Sequence, residues 1–95
     1  MKHAFFIKRT VSLGDAALYE LSVPCDGHKF VVVSKVNHAW ATETFMFPAD
    51  STGEITEWLE MDYSRSGIHS HADILAIAGY AVVPLIENVQ PVIDV

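Results

Sequence analysis

The sequence predicts a single α+β domain, 1–95, in which an antiparallel β-meander of four to five strands carries one short helix on one face and is followed by a C-terminal strand. Three observations lead to this prediction. Apolar residues recur at every second position in the first half, turn-forming residues separate these runs, and one helical pattern follows. The chain has 95 residues, of which 51% are hydrophobic and 19% charged, and this composition fits one domain with a moderate core.

Two strands are predicted before the first tight turn. The first, at about 2–12, has Phe5, Ile7 and Val11 on one face. The second ends at Pro24, because proline has no backbone N–H to donate to a β-ladder. The apolar face of this second strand comprises Ala17, Tyr19, Leu21 and Val23.

Asp26-Gly27 predicts a hairpin turn, since glycine accepts a positive φ and aspartate can bond its own backbone. The third strand, at about 28–36, is apolar on both faces at its centre, which suits a central strand covered by a further layer. A fourth strand is expected at about 39–47, and Pro48 ends it.

Residues 50–62 allow two interpretations. As a helix, the segment begins with the capping box Ser51-x-x-Glu54 and presents an apolar stripe. As a hairpin, it turns at 50–53 and then alternates along a strand. We expect Trp58 to be partly buried, with one edge exposed.

A helix is predicted at about 71–78. Ser70 can cap its first turn together with Asp73, and Gly79 follows where a left-handed residue ends many helices. The C-terminal strand is predicted at 80–83. The buried stripe of the helix comprises Ile74, Leu75 and Ala78.

The net charge of −6 is unevenly distributed, and it limits the classes of partner. Residues 1–40 carry five Lys and Arg against three acids, whereas residues 41–95 carry one Arg against nine acids. This balance argues against nucleic acid, which is bound through clustered cations. No apolar stretch approaches the roughly 18 residues of a membrane span. The single cysteine, Cys25, cannot form an intramolecular disulfide, so we expect a cytoplasmic protein.

Four residues form an alternative metal or catalytic centre: Cys25, His28, His69 and His71. Zinc binds thiolate and imidazole, with the nearby Asp73 as a further ligand, and a cysteine beside a histidine can act as a nucleophile. These residue types also occur as ordinary turn and cap residues. The sequence lacks a phosphate loop, a nucleophile elbow and His-Glu-x-x-His. We therefore predict no enzymatic activity, no catalytic residues and no cofactor.

The acidic and aromatic residues of the segment 50–62 are the leading candidate for a binding surface. Spaced carboxylates beside an aromatic ring can dock onto a basic partner, where they steer association and fix the register. Phe45 and Phe47 are expected in the core. The candidate surface comprises Asp50, Glu54, Glu57, Trp58, Glu60 and Asp62.

Three stretches of the chain together make up one pattern. They are Glu-Thr-Phe-Met-Phe-Pro-Ala-Asp at 43–50, Gly-Glu-Ile-Thr-Glu-Trp-Leu-Glu at 53–60, and the region from His71 to Ala78-Gly79-Tyr80. Together they cover roughly 40 of the 95 residues and resemble small uncharacterised proteins of bacteriophages and prophages. The resemblance implies a context and no residue roles. Short acidic phage proteins often act by binding a host protein, including defence machinery such as CRISPR effector complexes.

Our leading hypothesis is a non-enzymatic, phage-borne interaction module that modulates a host protein with a basic surface in the host cytoplasm. The first alternative is the metal-binding or catalytic domain. The second is a homo-oligomeric accessory protein, suggested by the apolar tail at 82–86 and 89–95.

Overall fold

The computed structural model describes residues 2–11 and 14–83. They form six β-strands and one helix. In chain order these are β1 (Lys2–Thr10), β2 (Asp15–Cys25), β3 (His28–Asn37), β4 (Thr42–Ala49), β5 (Arg65–Ser66), α1 (His71–Ile77) and β6 (Tyr80–Val83).

All six strands belong to one sheet with the order β5-β4-β3-β2-β1-β6. β1 to β4 are successive antiparallel neighbours, which confirms the predicted meander. β5 lies antiparallel to β4, and β6 lies parallel to β1 at the other end of the sheet. A parallel pair needs a crossover, and the connection through α1 supplies it. The described fold is therefore α+β but mainly β, and its six strands exceed the predicted four to five.

The prediction that two prolines end their strands is wrong. Pro24 lies within β2 and Pro48 within β4, where it pairs with Val31. The carbonyl of Pro48 accepts a hydrogen bond from the Thr56 N–H, outside the β3–β4 ladder. Because N–H and C=O of one strand residue point to the same side, the proline nitrogen also faces away from β3. No ladder bond is lost there, and the strand continues to Ala49.

The first strand contains an irregularity that the alternation did not reveal. Its register with β2 shifts between Phe6 and Lys8, which is the position of a β-bulge. Ala4 is buried, whereas Phe5 and Ile7 are exposed at 40% and 37%. The predicted shared face of Phe5, Ile7 and Val11 is therefore wrong, because the bulge interrupts the alternation and places Lys8 on the same face as Phe5.

Both faces of the sheet carry apolar side chains. On the helix face, Ile74 and Leu75 of α1 pack against the inward side chains of the meander, including Val33 and Met46. On the opposite face, a smaller cluster contains Leu18 together with apolar residues of β2, β3 and β4 and one residue after β4: Ala16, Val32, Phe30, Ala49 and Ile55. The central strand is thus covered on both sides, as its sequence indicates.

Local signals placed the helix and the Asp26-Gly27 turn correctly. The Ser70 hydroxyl accepts from the Asp73 N–H at 3.0 Å, and the Asp73 carboxylate accepts from the Ser70 N–H at 2.9 Å. Gly79 follows with φ of +97°. The fourth strand begins at Thr42 rather than about 39, because a turn hydrogen bond of 2.7 Å joins His38 N–H to the Ala41 carbonyl.

Within the described residues no helix is long and apolar enough to cross a membrane. α1 spans only seven residues. The apolar tail predicted to mediate oligomerisation lies outside the described residues from position 84 onward.

Candidate functional site

The segment after β4 begins with a tight turn rather than a helix. The Asp50 carboxylate accepts hydrogen bonds from the Thr52 N–H and hydroxyl at 2.9 and 2.6 Å, and from the Glu54 N–H at 3.1 Å. The hydroxyl bond, followed by the backbone bonds, lowers the pKa of Asp50 below its usual value. An isolated antiparallel bridge then joins Ala49 to Ile55. Of the two interpretations of 50–62, the hairpin is right for the turn, and the strand after it is reduced to this bridge.

The turn packs directly on the opposite face of the sheet. Gly53 is buried and has φ of +97°. A Cβ at this position would lie 3.3 Å from Thr10 Cγ2, 3.4 Å from Lys8 Cε and 3.7 Å from Leu18 Cδ2. Glycine is required here both by the backbone conformation and by the close approach to β1.

Three aromatic rings form a row that leads from β4 to the surface. Phe45 stacks on Phe47 with a centroid distance of 5.9 Å, and Phe47 contacts Trp58 at 5.3 Å. Phe47 is only 5% exposed, whereas Trp58 is 61% exposed. Trp58 is therefore exposed, which departs from the partial burial with one exposed edge that we expected, although its ring still contacts Phe47. Phe47 is in the core as expected, while Phe45 is half-buried.

The predicted acidic residues surround this tryptophan along the chain. Glu54, Glu57, Glu60 and Asp62 are all exposed, and Asp50 is half-buried in the turn. In the part of the chain that the structure describes, none of these carboxylates takes part in a salt bridge. We call Asp50, Glu54, Glu57, Trp58, Glu60 and Asp62 the 50–62 surface.

A cleft of about 560 Å³ is lined by residues of the turn and of the end of β1. On the turn side its lining includes Gly53, Glu54 and Trp58, and on the β1 side it includes Lys8 and Arg9. The Arg9 guanidinium forms an ion pair with Asp15. The Lys8 ammonium has no salt bridge to any other residue within 2–11 and 14–83.

Of the four residues of the alternative metal centre, His71 and Cys25 are buried. His71 is buried, with Nε2 2.8 Å from the Asp15 carbonyl and Nδ1 3.1 Å from the Tyr19 hydroxyl. Because a carbonyl only accepts, Nε2 carries the hydrogen and Nδ1 accepts from Tyr19. Burial lowers the pKa of His71, and it also raises the pKa of Tyr19 to about 12.

Cys25 is a core residue rather than an accessible nucleophile. It is 6% exposed and belongs to the cluster on the helix face together with Tyr80. A hydrogen bond to its thiol raises the pKa of Tyr63 to about 12. Across the described ranges, no three His, Cys, Asp or Glu side chains lie where they could hold a metal ion together. His28 and His69 do not join Cys25 and His71 in a common site.

No family model, no curated protein and no solved structure matches this chain. The resemblance to phage proteins therefore stays a prediction.

Sequence reasoning missed the cation in the cleft. The run Phe5-Phe6-Ile7-Lys8-Arg9 does not alternate in polarity, so nothing local shows where the bulge lies or that it turns Lys8 toward Gly53. It also missed the support of Trp58 by Phe47, which depends on how the chain crosses the sheet after the turn. The available signal was Gly53, since Asp-Ser-Thr-Gly at 50–53 predicts the turn that brings Lys8 and Trp58 to the same cleft.

Proposed function

We propose that this protein is a non-enzymatic interaction module that binds a basic patch on a partner protein through the 50–62 surface. The observation that carries the proposal is the position of Trp58, which packs on Phe47 at 5.3 Å and still exposes 61% of its surface. A large aromatic side chain held in place loses little conformational freedom on binding, and such residues are frequent binding hot spots.

The charge of the surface indicates the chemistry of the partner. Glu54, Glu57 and Glu60 are exposed and free of salt bridges within the described residues, so their field is not neutralised by the protein itself. Complementary charge accelerates association and fixes orientation more than it adds affinity. Asp50 has a different role in the proposal, because its carboxylate holds the turn.

The resemblance to phage proteins supports a host protein in the cytoplasm as the partner, and a CRISPR effector complex is one such protein. This context comes from the resemblance alone and depends on no contact described above.

Affinity capture from the native host, followed by mass spectrometry, tests the proposal. The variants are Trp58→Ala and the triple change of Glu54, Glu57 and Glu60 to Lys. We expect a partner that is retained by the wild-type protein, weakened at least tenfold by either variant, and released by rising salt.

Trp40→Ala is the matched control, because Trp40 is 85% exposed but lies in the turn between β3 and β4, stacked on His38. It should retain the partner, and both tryptophan variants should melt within a few degrees of the wild-type protein. A partner that binds both Trp58→Ala and the triple lysine variant normally would refute the proposed surface.

A further inference from the structure

We propose that the cleft between the end of β1 and the turn at 50–55 binds a small planar organic anion. Its ring would lie against the Trp58 indole, and its anionic group would pair with the Lys8 ammonium. This site goes beyond the protein-binding surface, because its ligand is a small molecule whose charge is opposite to that of the basic partner.

The walls of the cleft are fixed by the fold. Its volume of about 560 Å³ falls in the range of roughly 300 to 1,000 Å³ that ligand sites occupy. Gly53 lies so close to β1 that a methyl group on it would be 3.3 Å from Thr10 Cγ2. The turn itself is braced by the three hydrogen bonds to the Asp50 carboxylate.

One wall offers an aromatic surface. Trp58 lines the cleft, contacts Phe47, and remains 61% exposed. An exposed indole can accept a planar ring by stacking, which is insensitive to the identity of the ring.

The facing wall offers a cation with no protein partner in the described ranges. The β-bulge directs Lys8 to this face, and its Cε would be 3.4 Å from a Cβ on Gly53. Arg9 also lines the cleft, but its guanidinium is paired with Asp15. Lys8 is therefore the cation available to a carboxylate or phosphate.

Glu54 lines the same cleft, and its charge should have opposite effects on the two proposed kinds of binding. Its carboxylate repels an anion in the cleft, whereas it attracts the basic protein partner. Removing that charge must strengthen one kind of binding and weaken the other.

The test uses the full chain in a Trp40→Phe background, which leaves Trp58 as the only indole N–H signal in an NMR spectrum. Adenosine 5′-monophosphate and 4-hydroxybenzoate serve as phosphate and carboxylate probes. Adenosine and inorganic phosphate are the separated parts of the first probe, and phenol and acetate are those of the second. We expect at least one intact anion to shift the Trp58 signal saturably, and to bind at least tenfold more tightly than either part.

Three variants then test the assignment of residues. Lys8→Gln should weaken the bound anion at least fivefold, and Glu54→Gln should strengthen it. Lys29→Gln is the matched control, because Lys29 is an exposed lysine at the start of β3 and does not line the cleft. Absence of a saturable shift with both anions, or equal effects of Lys8→Gln and Lys29→Gln, would overturn the proposal. Lys8→Gln should still capture the protein partner, so the two proposals can fail separately.

Discussion

His71 illustrates how a single residue can link distant parts of this chain. Its imidazole joins the start of α1 to the start of β2 through the Asp15 carbonyl, and to the middle of β2 through the Tyr19 hydroxyl. In the neutral form, with the hydrogen on Nε2, both ring nitrogens are satisfied, and burial of the imidazole favours this form. Tyr19 also packs edge-on against the imidazole, at a centroid distance of 6.0 Å. The residue that the sequence offered as a metal ligand is therefore a core residue with a specific protonation state.

This arrangement predicts a pH dependence of stability. Burial lowers the pKa of His71 below its usual value of 6.5, so the unfolded chain takes up a proton first as the pH falls. The stabilising contribution is complete above pH ~6.5 and is lost as the pH falls from there through the folded pKa, with a slope of at most about 1.4 kcal/mol per pH unit. His71→Gln keeps a donor and an acceptor but does not titrate. Its free energy of unfolding, measured in urea between pH 7 and 5, should fall less steeply than that of the wild-type protein.

His38→Gln is the control for that measurement, because His38 is exposed at the β3–β4 turn and contacts Glu43 there. The lowered pKa values of Asp50 and Asp73 affect stability only at more acidic pH, since such carboxylates lose their contribution below about pH 4. Equal slopes for the wild-type protein and His71→Gln would contradict the assignment.

At the scale of elements, two glycine turns differ in what surrounds them. Gly27 and Gly53 have φ of +85° and +97°, so alanine is strained at either position by about 1 to 3 kcal/mol. A Cβ on Gly27 would meet nothing within 4 Å, whereas one on Gly53 would lie 3.3 Å from Thr10 Cγ2, closer than an ordinary contact. We expect Gly53→Ala to reduce the free energy of unfolding in urea by more than Gly27→Ala does.

The same two variants, Gly53→Ala and Gly27→Ala, also test whether the turn that lines the cleft is held against β1. Gly53→Ala should push the turn away from β1 and shift the NMR signals of Lys8 and Trp58, while Gly27→Ala should leave both signals unchanged. Identical losses of stability and no shift at Lys8 would mean that the turn is not held against the sheet.

The elements that the sequence predicted correctly carry their own local signals. The alternation of β2 and β3, the Asp26-Gly27 turn and the Ser70 cap each depend on residues a few positions apart, so one sequence contains the whole signal. The bulge in β1 and the continuation of β4 through Pro48 depend on partner strands. For the same reason the acids of the 50–62 surface could be selected by composition, whereas Lys8, which lines the cleft together with Glu54, could not.

At the scale of the whole molecule, burial and backbone hydrogen bonding decrease from the centre of the sheet to the proposed surface. β2 and β3 are flanked on both sides by other strands and covered on both faces, and Leu18 and Val32 are completely buried. Among the described residues, positions 57–60 donate no hydrogen bond to another backbone group. The segment is anchored at its ends by the Thr56 and Met61 N–H groups, which donate to the carbonyls of Pro48 and Met46 at 3.0 and 2.8 Å.

This gradient predicts the pattern of amide hydrogen exchange. Amides of Leu18 and Val32 should exchange only with global unfolding, because opening them requires separation of central strands, whereas those of 57–60 should exchange at nearly the rate of an unfolded chain. Addition of the captured partner should slow exchange at 57–60 and leave the β3–β4 turn around Trp40 unchanged, since only the first segment belongs to the proposed interface. Slow exchange at 57–60 in the free protein would show that this segment is held by contacts other than its two anchors. Protection by the partner that is confined to the turn around Trp40 would place the interface at His38 and Trp40 instead. This result would contradict the assignment of Trp58 as the anchor of the interface.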